Sequence, residues 1–221
     1  MAGKLIIVEG LIGAGKSSFC KQLGRQLAPD AEVFLEPDDQ QGDRNPYLSD
    51  YYDDPPRWAF TMQVHLMQAR YRAHLRAQDV VWDDKHAILD RSIYADVEFG
   101  HLQHDLQVMP DREFETYSAL YHSLLAPNIR EPDLLVWLQV SPDVALERIH
   151  RRSIGRQGRK CEARISRDYL EALDARLQAM VERMENKGVG VLTVDWNEDA
   201  PAVEDRQWAM VEVMKSLNGD V

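Results

Sequence analysis

The sequence predicts an α/β fold in which a five-stranded parallel sheet is covered by helices on both faces. Two observations support this prediction: short apolar runs recur along the chain, and long segments with helical spacing separate them. The predicted strands are, in order, Leu5–Val8 ending at Glu9, Glu32–Leu35, Ala87–Leu89, Asp133–Leu138 and Val189–Val194.

Apolar residues recur at roughly helical spacing between the strands. This spacing predicts helices over Trp58–Asp79, Arg112–Ala126 and Tyr169–Lys187, with a last helix over about 203–217. Two segments are expected to be irregular: the polar stretch Asp38–Pro56, read as a long loop, and the basic stretch Arg148–Arg167. Long loops in compact domains usually carry function.

Composition narrows the possible classes of protein. A length of 221 residues fits one domain, 1–221. The formal net charge of −11 argues against a partner that is a nucleic acid polymer, because gripping its backbone needs a cationic surplus. Two cysteines are too few for a disulfide framework, and no apolar run is long enough for a membrane span. With a strand in place of a signal peptide at the N-terminus, we expect a cytoplasmic protein.

The first strand leads directly into a phosphate-binding pattern. Gly10–Ser17 reads G-x-x-x-x-G-K-S, with an apolar strand before it and a helix opening at Lys16 after it. In that context backbone N–H groups cradle phosphates, the lysine reaches the outer phosphates and the serine hydroxyl binds Mg²⁺. We therefore expect a nucleoside triphosphate and Mg²⁺ to bind here, and we take ATP as the expected phosphate donor. The residues predicted to hold the nucleotide are Gly10, Gly13, Ala14, Gly15, Lys16, Ser17 and Ser18.

Charged residues follow two further strands, at the sheet edge where ligands bind in open parallel sheets. Glu36 can serve as the general base for an attacking hydroxyl, although from position alone a solvated loop acid is equally compatible. Asp90 can support Mg²⁺, and Arg91 can neutralise a transferring phosphoryl group. A structural ion pair explains those two residues equally well.

Two other groups of residues suggest roles at the same edge. Seven cations between Arg148 and Arg164 suit a lid, over about 152–166, that closes on phosphates. Gln63 and Arg70 share a helix face and, together with Asp96, can form a hydrogen-bonding wall for a flat base. Spacing alone favours the simpler interpretation that Gln63 and Arg70 are solvent-facing polar residues.

Taken in order, these segments resemble the deoxyribonucleoside kinase family, and within it the branch of deoxycytidine, deoxyguanosine and deoxyadenosine kinases. The similar segments are Glu9–Ser17, Glu36-Pro37, Tyr52–Ala59 with Gln63, Asp90–Asp96, Leu146–Arg152, Cys161-Glu162 with Tyr169–Glu171, and Leu192–Asp199. The resemblance covers nearly the whole chain and implies the P-loop kinase fold, with an Arg-rich lid and a family habit of forming homodimers.

The resemblance also implies roles for single residues. It gives the catalytic roles to Glu36, Arg91, Lys16 and Arg152, and donor-nucleotide contacts to Arg148, Arg152, Asp195 and Asn197. It gives contacts with a small-molecule deoxynucleoside to Glu36, Tyr52, Gln63, Arg70, Arg91, Asp96 and Glu162, and a metal site to Ser17 with Asp90. Arg70 and Asp96 together imply a deoxypurine or deoxycytidine acceptor rather than thymidine.

Two other functions share parts of this pattern. A nucleoside monophosphate kinase of the thymidylate kinase type has the same phosphate loop, but its acceptor pocket needs an arginine where Glu36 stands. A non-catalytic nucleotide-binding subunit of the same fold would be expected to lose the loop lysine or the base. Lys16, Ser17, Glu36 and Arg91 are all present, which favours an active enzyme.

Overall fold

The computed structural model describes residues 2–36, 45–154, 160–198 and 203–218. Within these ranges five parallel strands form one sheet in the order β2-β3-β1-β4-β5. The strands are β1 (Leu5–Gly10), β2 (Ala31–Phe34), β3 (His86–Asp90), β4 (Leu134–Gln139) and β5 (Gly190–Asp195). The predicted sheet is confirmed, and each predicted strand matches an observed one to within two residues.

The central strand β1 explains why the sheet is covered on both sides. All six of its residues are buried, and successive side chains of a strand point to opposite faces, so helices must pack on both. Its register against β3 pairs Val8 with Asp90, and against β4 it pairs Gly10 with Leu138. The ends of three adjacent strands therefore meet at one edge.

Eight α-helices pack around the sheet in the described part of the chain. They are α1 (Lys16–Gln26), α2 (Leu48–Asp53), α3 (Pro55–Trp82), α4 (Ile93–Asp105), α5 (Asp111–Leu120), α6 (Pro142–Ile154), α7 (Arg167–Asn186) and α8 (Val203–Asn218). A π-helical turn, Tyr121–Leu125, follows α5, and a 3₁₀ turn, Lys160–Arg164, precedes α7. No helix among those residues is long and apolar enough to cross a membrane.

The helix that follows the predicted long loop begins earlier than apolar spacing indicated. Asp54 caps α3 by accepting from the Arg57 backbone N–H at 3.4 Å, and prolines occupy its first turn, where the missing N–H costs nothing. The loop prediction for Asp38–Pro56 was wrong for its second half, because Leu48–Asp53 is the helix α2. Residues 37–44 lie outside the described ranges.

The basic segment is more regular than predicted. Arg148–Ile154 continues α6 without a break, so irregularity was the wrong prediction for those residues. The helix predicted over Arg112–Ala126 ends at Leu120 and changes into the π-helical turn. Arg156 and Arg159, two cations of the predicted lid, lie outside the described residues.

Candidate functional site

The phosphate loop follows β1 and runs into α1 as the sequence predicted. Gly13 and Gly15 adopt φ values of 83° and 94°, a backbone conformation that side chains strongly disfavour. A Cβ at Gly13 would also come within 2.7 Å of the Ala145 carbonyl oxygen. Lys16 Nζ donates to the carbonyl oxygens of Gly10 at 3.3 Å and Leu11 at 2.9 Å, so the lysine lies against the loop that it is expected to serve.

Arg91 is held rigidly at the end of β3 by a buried carboxylate. Its φ of 70° is unusual for a residue with a side chain, and its backbone N–H donates to Val8 O. Glu9, fully buried in β1, accepts from Arg91 Nη1 at 3.3 Å and from the Ser92 backbone N–H at 2.6 Å. Strained backbone that is fixed by several partners is typical of functional sites. Sequence reasoning gave Glu9 no role, although its position before the phosphate loop was visible.

Glu36 lies between two arginines just beyond β2. Its Oε1 accepts from Arg70 Nη2, and its Oε2 lies 3.6 Å from Arg91 Nε. Burial acts to raise the pKa of Glu36, but the charges of Arg70, Arg91 and Lys16 overcome it and lower the pKa to about 2. This carboxylate is therefore ionised at any pH at which the enzyme is expected to work.

Ser17 and Asp90 provide oxygen ligands suited to Mg²⁺. The Ser17 hydroxyl donates to Asp90 Oδ2 at 2.5 Å, while the buried Asp90 Oδ1 has no hydrogen-bond partner within the described ranges of the chain. Burial raises the pKa of Asp90. An unpartnered carboxylate oxygen beside a hydroxyl matches the few hard ligands that a protein supplies to Mg²⁺ when phosphates supply others. The described residues contain no cluster of three or more His, Cys, Asp or Glu that could hold a metal ion without such help.

A buried network of hydrogen bonds joins α3, α4 and α5. Arg70 Nη1 donates to Asp96 Oδ1, and the Tyr117 hydroxyl donates to Asp96 Oδ2 at 2.6 Å. Asp96 is fully buried and Arg70 is 6% exposed, so the interpretation that Arg70 faces solvent is wrong. Both oxygens of Asp96 are occupied, which makes Arg70 the charged group of this network that reaches the cavity.

Gln63 is fully buried beside that network. Its Nε2 donates to the Asp96 carbonyl oxygen at 3.0 Å, and its Oε1 accepts from Gln103 Nε2 at 3.1 Å. The two amides therefore form a connected pair at the cavity wall. Gln103 and Tyr117 were both missed by sequence reasoning, because nothing in their spacing identifies them as partners of Gln63 or Asp96.

The other end of the cavity is closed by α2 and the 3₁₀ turn. Arg152 Nη2 donates to Glu162 Oε2, and Glu162 is 3% exposed. Arg164 donates to the Tyr52 carbonyl oxygen and lies 2.8 Å from Asp53 Oδ1. The base of the predicted lid is thus joined directly to α2, the helix that carries Tyr52.

Three residues predicted to contact the donor nucleotide lie together on the far side of the phosphate loop. Arg148 donates to the carbonyl oxygens of Trp196 at 2.8 Å and Ala14 at 3.4 Å. Asn197 accepts from the Ser141 backbone N–H at 2.7 Å and donates to Asp195 Oδ1 at 2.8 Å. These contacts fix the segment after β5 against the loop, and none of the three residues lines the cavity that contains Lys16 and Glu36.

A cavity of about 230 Å³ connects these groups. It runs from the phosphate loop past Glu36 to the wall of amides and arginine. The predicted residues that line it are Gly13, Gly15, Lys16, Ser17, Ser18, Glu36, Tyr52, Gln63, Arg70, Asp90, Arg91, Arg152 and Glu162. Gly10, Ala14 and Asp96 lie just behind the lining rather than on it. A phosphate loop, a flanked carboxylate and a polar wall in one cavity define a nucleotide-binding α/β protein built for phosphoryl transfer.

Comparison with known proteins gives the same class in finer detail. The family model for deoxynucleoside kinase matches residues 6–218. Deoxyadenosine kinase of Dictyostelium discoideum is 32% identical over 99% of this chain and 83% of its own length. Human deoxycytidine kinase is 29% identical over 97% of this chain and 90% of its own length. The solved structure of deoxyadenosine kinase from M. mycoides with bound dATP superimposes with a TM-score of 0.77 at 26% identity, covering 97% of this chain and 99% of that one.

This chain belongs to the deoxynucleoside kinase family, whose members are ATP-dependent phosphotransferases. The fold is the P-loop kinase fold that the resemblance implied.

Proposed function

We propose that this protein transfers the γ-phosphate of ATP to the 5′-hydroxyl of a deoxynucleoside, with deoxyadenosine, deoxyguanosine or deoxycytidine preferred over thymidine. The observation that carries the proposal is Glu36, an ionised carboxylate set between Arg70 and Arg91 in a cavity that also contains Lys16. A carboxylate in that position suits an uncharged hydroxyl acceptor. It would repel the phosphate of a nucleoside monophosphate, so the thymidylate kinase type is not favoured.

Glu36 acts in this proposal mainly by orienting the hydroxyl. With a pKa of about 2 it accepts a hydrogen bond readily but holds a full proton poorly. Phosphoryl transfer through a loose transition state needs little proton removal before the phosphorus–oxygen bond has broken, and positioning supplies most of the catalysis. Glu36 then takes the proton late, when the new ester bond makes the former hydroxyl acidic.

The donor end supplies the charge stabilisation. Lys16, Arg91 and, from the lid base, Arg152 present cations toward the cavity in which the phosphoryl group passes to the acceptor. Ser17 and Asp90 are the residues that would hold Mg²⁺, which supplies neutralisation of phosphate charge when bound. Arg148, Asp195 and Asn197 order the segment that we assign to the donor's base.

The acceptor end supplies recognition. Gln63 and Arg70 face the cavity as the groups for the base, with Asp96 holding Arg70 in place from behind. Tyr52 and Glu162 line the region between this wall and the lid, where the sugar 3′-hydroxyl is expected. Relatives named as deoxyadenosine, deoxyguanosine and deoxycytidine kinases support the preference for these three bases.

Product analysis tests the function directly. Purified protein is supplied with ATP and Mg²⁺ together with each of the four deoxynucleosides or each of the four deoxynucleoside monophosphates, and products are separated by chromatography. We expect 5′-monophosphates from the deoxynucleosides and no diphosphates. Turnover with monophosphates alone would overturn the proposal, and ATP binding without turnover on any acceptor would favour the non-catalytic subunit.

The proposal also covers the metabolic role, the location and the oligomeric state of the protein. A kinase of this kind would serve nucleotide salvage in the cytoplasm and would form a homodimer as the family resemblance implies. Sedimentation velocity on the purified protein distinguishes a dimer from a monomer.

A further inference from the structure

Gln103 carries a side-chain oxygen atom to which none of the described residues donates a hydrogen bond. It lies in α4, is 1% exposed and lines the cavity, and its Oε1 has no hydrogen-bond partner among the described residues. A buried acceptor without a donor lowers the stability of the folded protein. Such an atom is expected to persist where a bound molecule supplies the missing donor.

The orientation of the Gln103 amide follows from a chain of contacts that begins at the backbone. The Asp96 carbonyl oxygen can only accept, so Gln63 must turn its nitrogen toward it, at 3.0 Å. Gln63 Oε1 is thereby turned toward Gln103. Because this oxygen can only accept, Gln103 must donate to it through Nε2, at 3.1 Å. The remaining atom of Gln103 is the oxygen. Flipping either amide would set oxygen against oxygen or nitrogen against nitrogen.

The position of Gln103 assigns it to the base rather than to the reacting hydroxyl. Gln103 lies nearly three helical turns beyond Ile93, the first residue of α4. Arg91 precedes Ile93 by two positions, so the length of the helix separates Gln103 from Arg91. Its hydrogen-bond partner across the wall is Gln63, which in turn donates to Asp96 and not to Glu36 or the phosphate loop. Donors at the base end of a nucleoside are ring N–H groups and exocyclic amines.

An amine fits this wall better than a ring N–H. Gln63 Oε1 accepts from Gln103 Nε2, which leaves it one further acceptor position, and the unpartnered oxygen belongs to the same Gln103 amide that makes this bond. Two neighbouring acceptors match a group that carries two hydrogens. Adenine, cytosine and guanine each have an exocyclic amine, whereas thymine has none.

We propose that Gln103 is a specificity-determining residue whose Oε1 accepts a hydrogen bond from the exocyclic amine of the acceptor's base. This inference rests on the proposed function and deepens it. It makes the amine the feature that admits deoxyadenosine, deoxycytidine or deoxyguanosine and rejects thymidine.

The test compares two substrates that differ only in the amine. The wild type's best deoxynucleoside is paired with its analogue lacking that group: purine 2′-deoxyriboside for deoxyadenosine, deoxyinosine for deoxyguanosine, or the 4-desamino analogue for deoxycytidine. We expect kcat/KM of the wild type to favour the amine-bearing member. In Gln103→Leu the ratio should fall about 10-fold, the value of one hydrogen bond.

Controls separate recognition from folding. Gln103→Met retains length without polarity and gives a second estimate of the ratio if the leucine variant folds poorly. Gln68→Leu makes the same change on the exposed face of α3 and should leave the ratio unchanged. Thermal shift by the amine-bearing nucleoside, but not by its analogue, should shrink in both Gln103 variants.

The outcomes are distinguishable. An equal fall of kcat/KM for both substrates would mean that Gln103 is only structural, and an unchanged ratio would mean that the amine is read elsewhere. Either result overturns this inference while the kinase assignment stands. A wild type that phosphorylates no deoxynucleoside refutes the proposed function and this inference with it.

Discussion

Arg70 donates to Glu36 through Nη2 while its Nη1 is bound by Asp96, so one guanidinium touches both the expected base-reading network and the expected catalytic carboxylate. The two halves of the acceptor site are therefore not independent. A change at the base wall that shifts Arg70 also changes the charge around Glu36. We expect variants of the wall to alter kcat as well as KM for this reason.

Replacing Glu36 by Gln tests the role of the carboxylate. The amide keeps the shape but loses the charge that accepts the hydroxyl proton, so kcat should fall about 100-fold or more. Calorimetric titration should give ATP binding close to that of wild type, because Glu36 lies on the acceptor side. Glu32→Gln, an exposed change on β2, serves as the control. An E36Q enzyme with the original rate would exclude Glu36 as the base.

Replacing Asp90 by Asn tests the metal site. The change removes charge next to the Ser17 hydroxyl, so the Mg²⁺ concentration for half-maximal activity should rise about 10-fold or more. The matched control is Asp84→Asn, on an exposed residue with a positive φ that asparagine tolerates. Identical Mg²⁺ activation curves for D90N and wild type would contradict the assignment.

The pKa of Lys16 predicts an alkaline loss of activity. Burial, together with repulsion from Arg91, lowers this pKa to about 8, against the opposing pull of nearby carboxylates. The charged form is the one that binds phosphates, so kcat/KM for ATP should fall as pH rises through about 8. In Lys16→Arg the residual activity should lack this loss, since arginine does not titrate there. If kcat/KM of the wild type for ATP stayed level well above pH 8, the predicted titration of Lys16 would be contradicted.

Gly100 provides a prediction about stability. A Cβ at this position in α4 would lie 2.4 Å from Tyr117 Cε1, and the ring cannot easily retreat because its hydroxyl is bound to Asp96. Gly100→Ala should therefore lower the free energy of unfolding by about 1–3 kcal/mol. The same substitution in a Tyr117→Ala background should cost much less, which chemical denaturation of the wild type, the two single variants and the double variant measures. Equal costs in both backgrounds would show that the ring is not the obstacle.

The sheet and the phosphate-loop side of the site could be predicted from sequence, because parallel strands bring their carboxyl ends together whatever the intervening helices do. Glu36, Asp90 and Arg91 follow from that rule. Gln103 and Tyr117 do not, because their partners depend on how α4 and α5 pack against α3. The buried residues of α4 lie on all sides of the helix and include polar ones. The helix therefore has no clear apolar stripe to indicate which side faces the cavity.

The pairing of Val8 with Asp90 has a consequence for how such an enzyme can diversify. Main-chain hydrogen bonds set the spacing between the phosphate loop and Arg91, and those bonds are indifferent to most side-chain substitutions. In the proposed function, acceptor recognition depends instead on side chains of α3, α4 and α5. Mutation of those side chains can therefore change which nucleoside is accepted without moving the phosphate loop relative to Arg91.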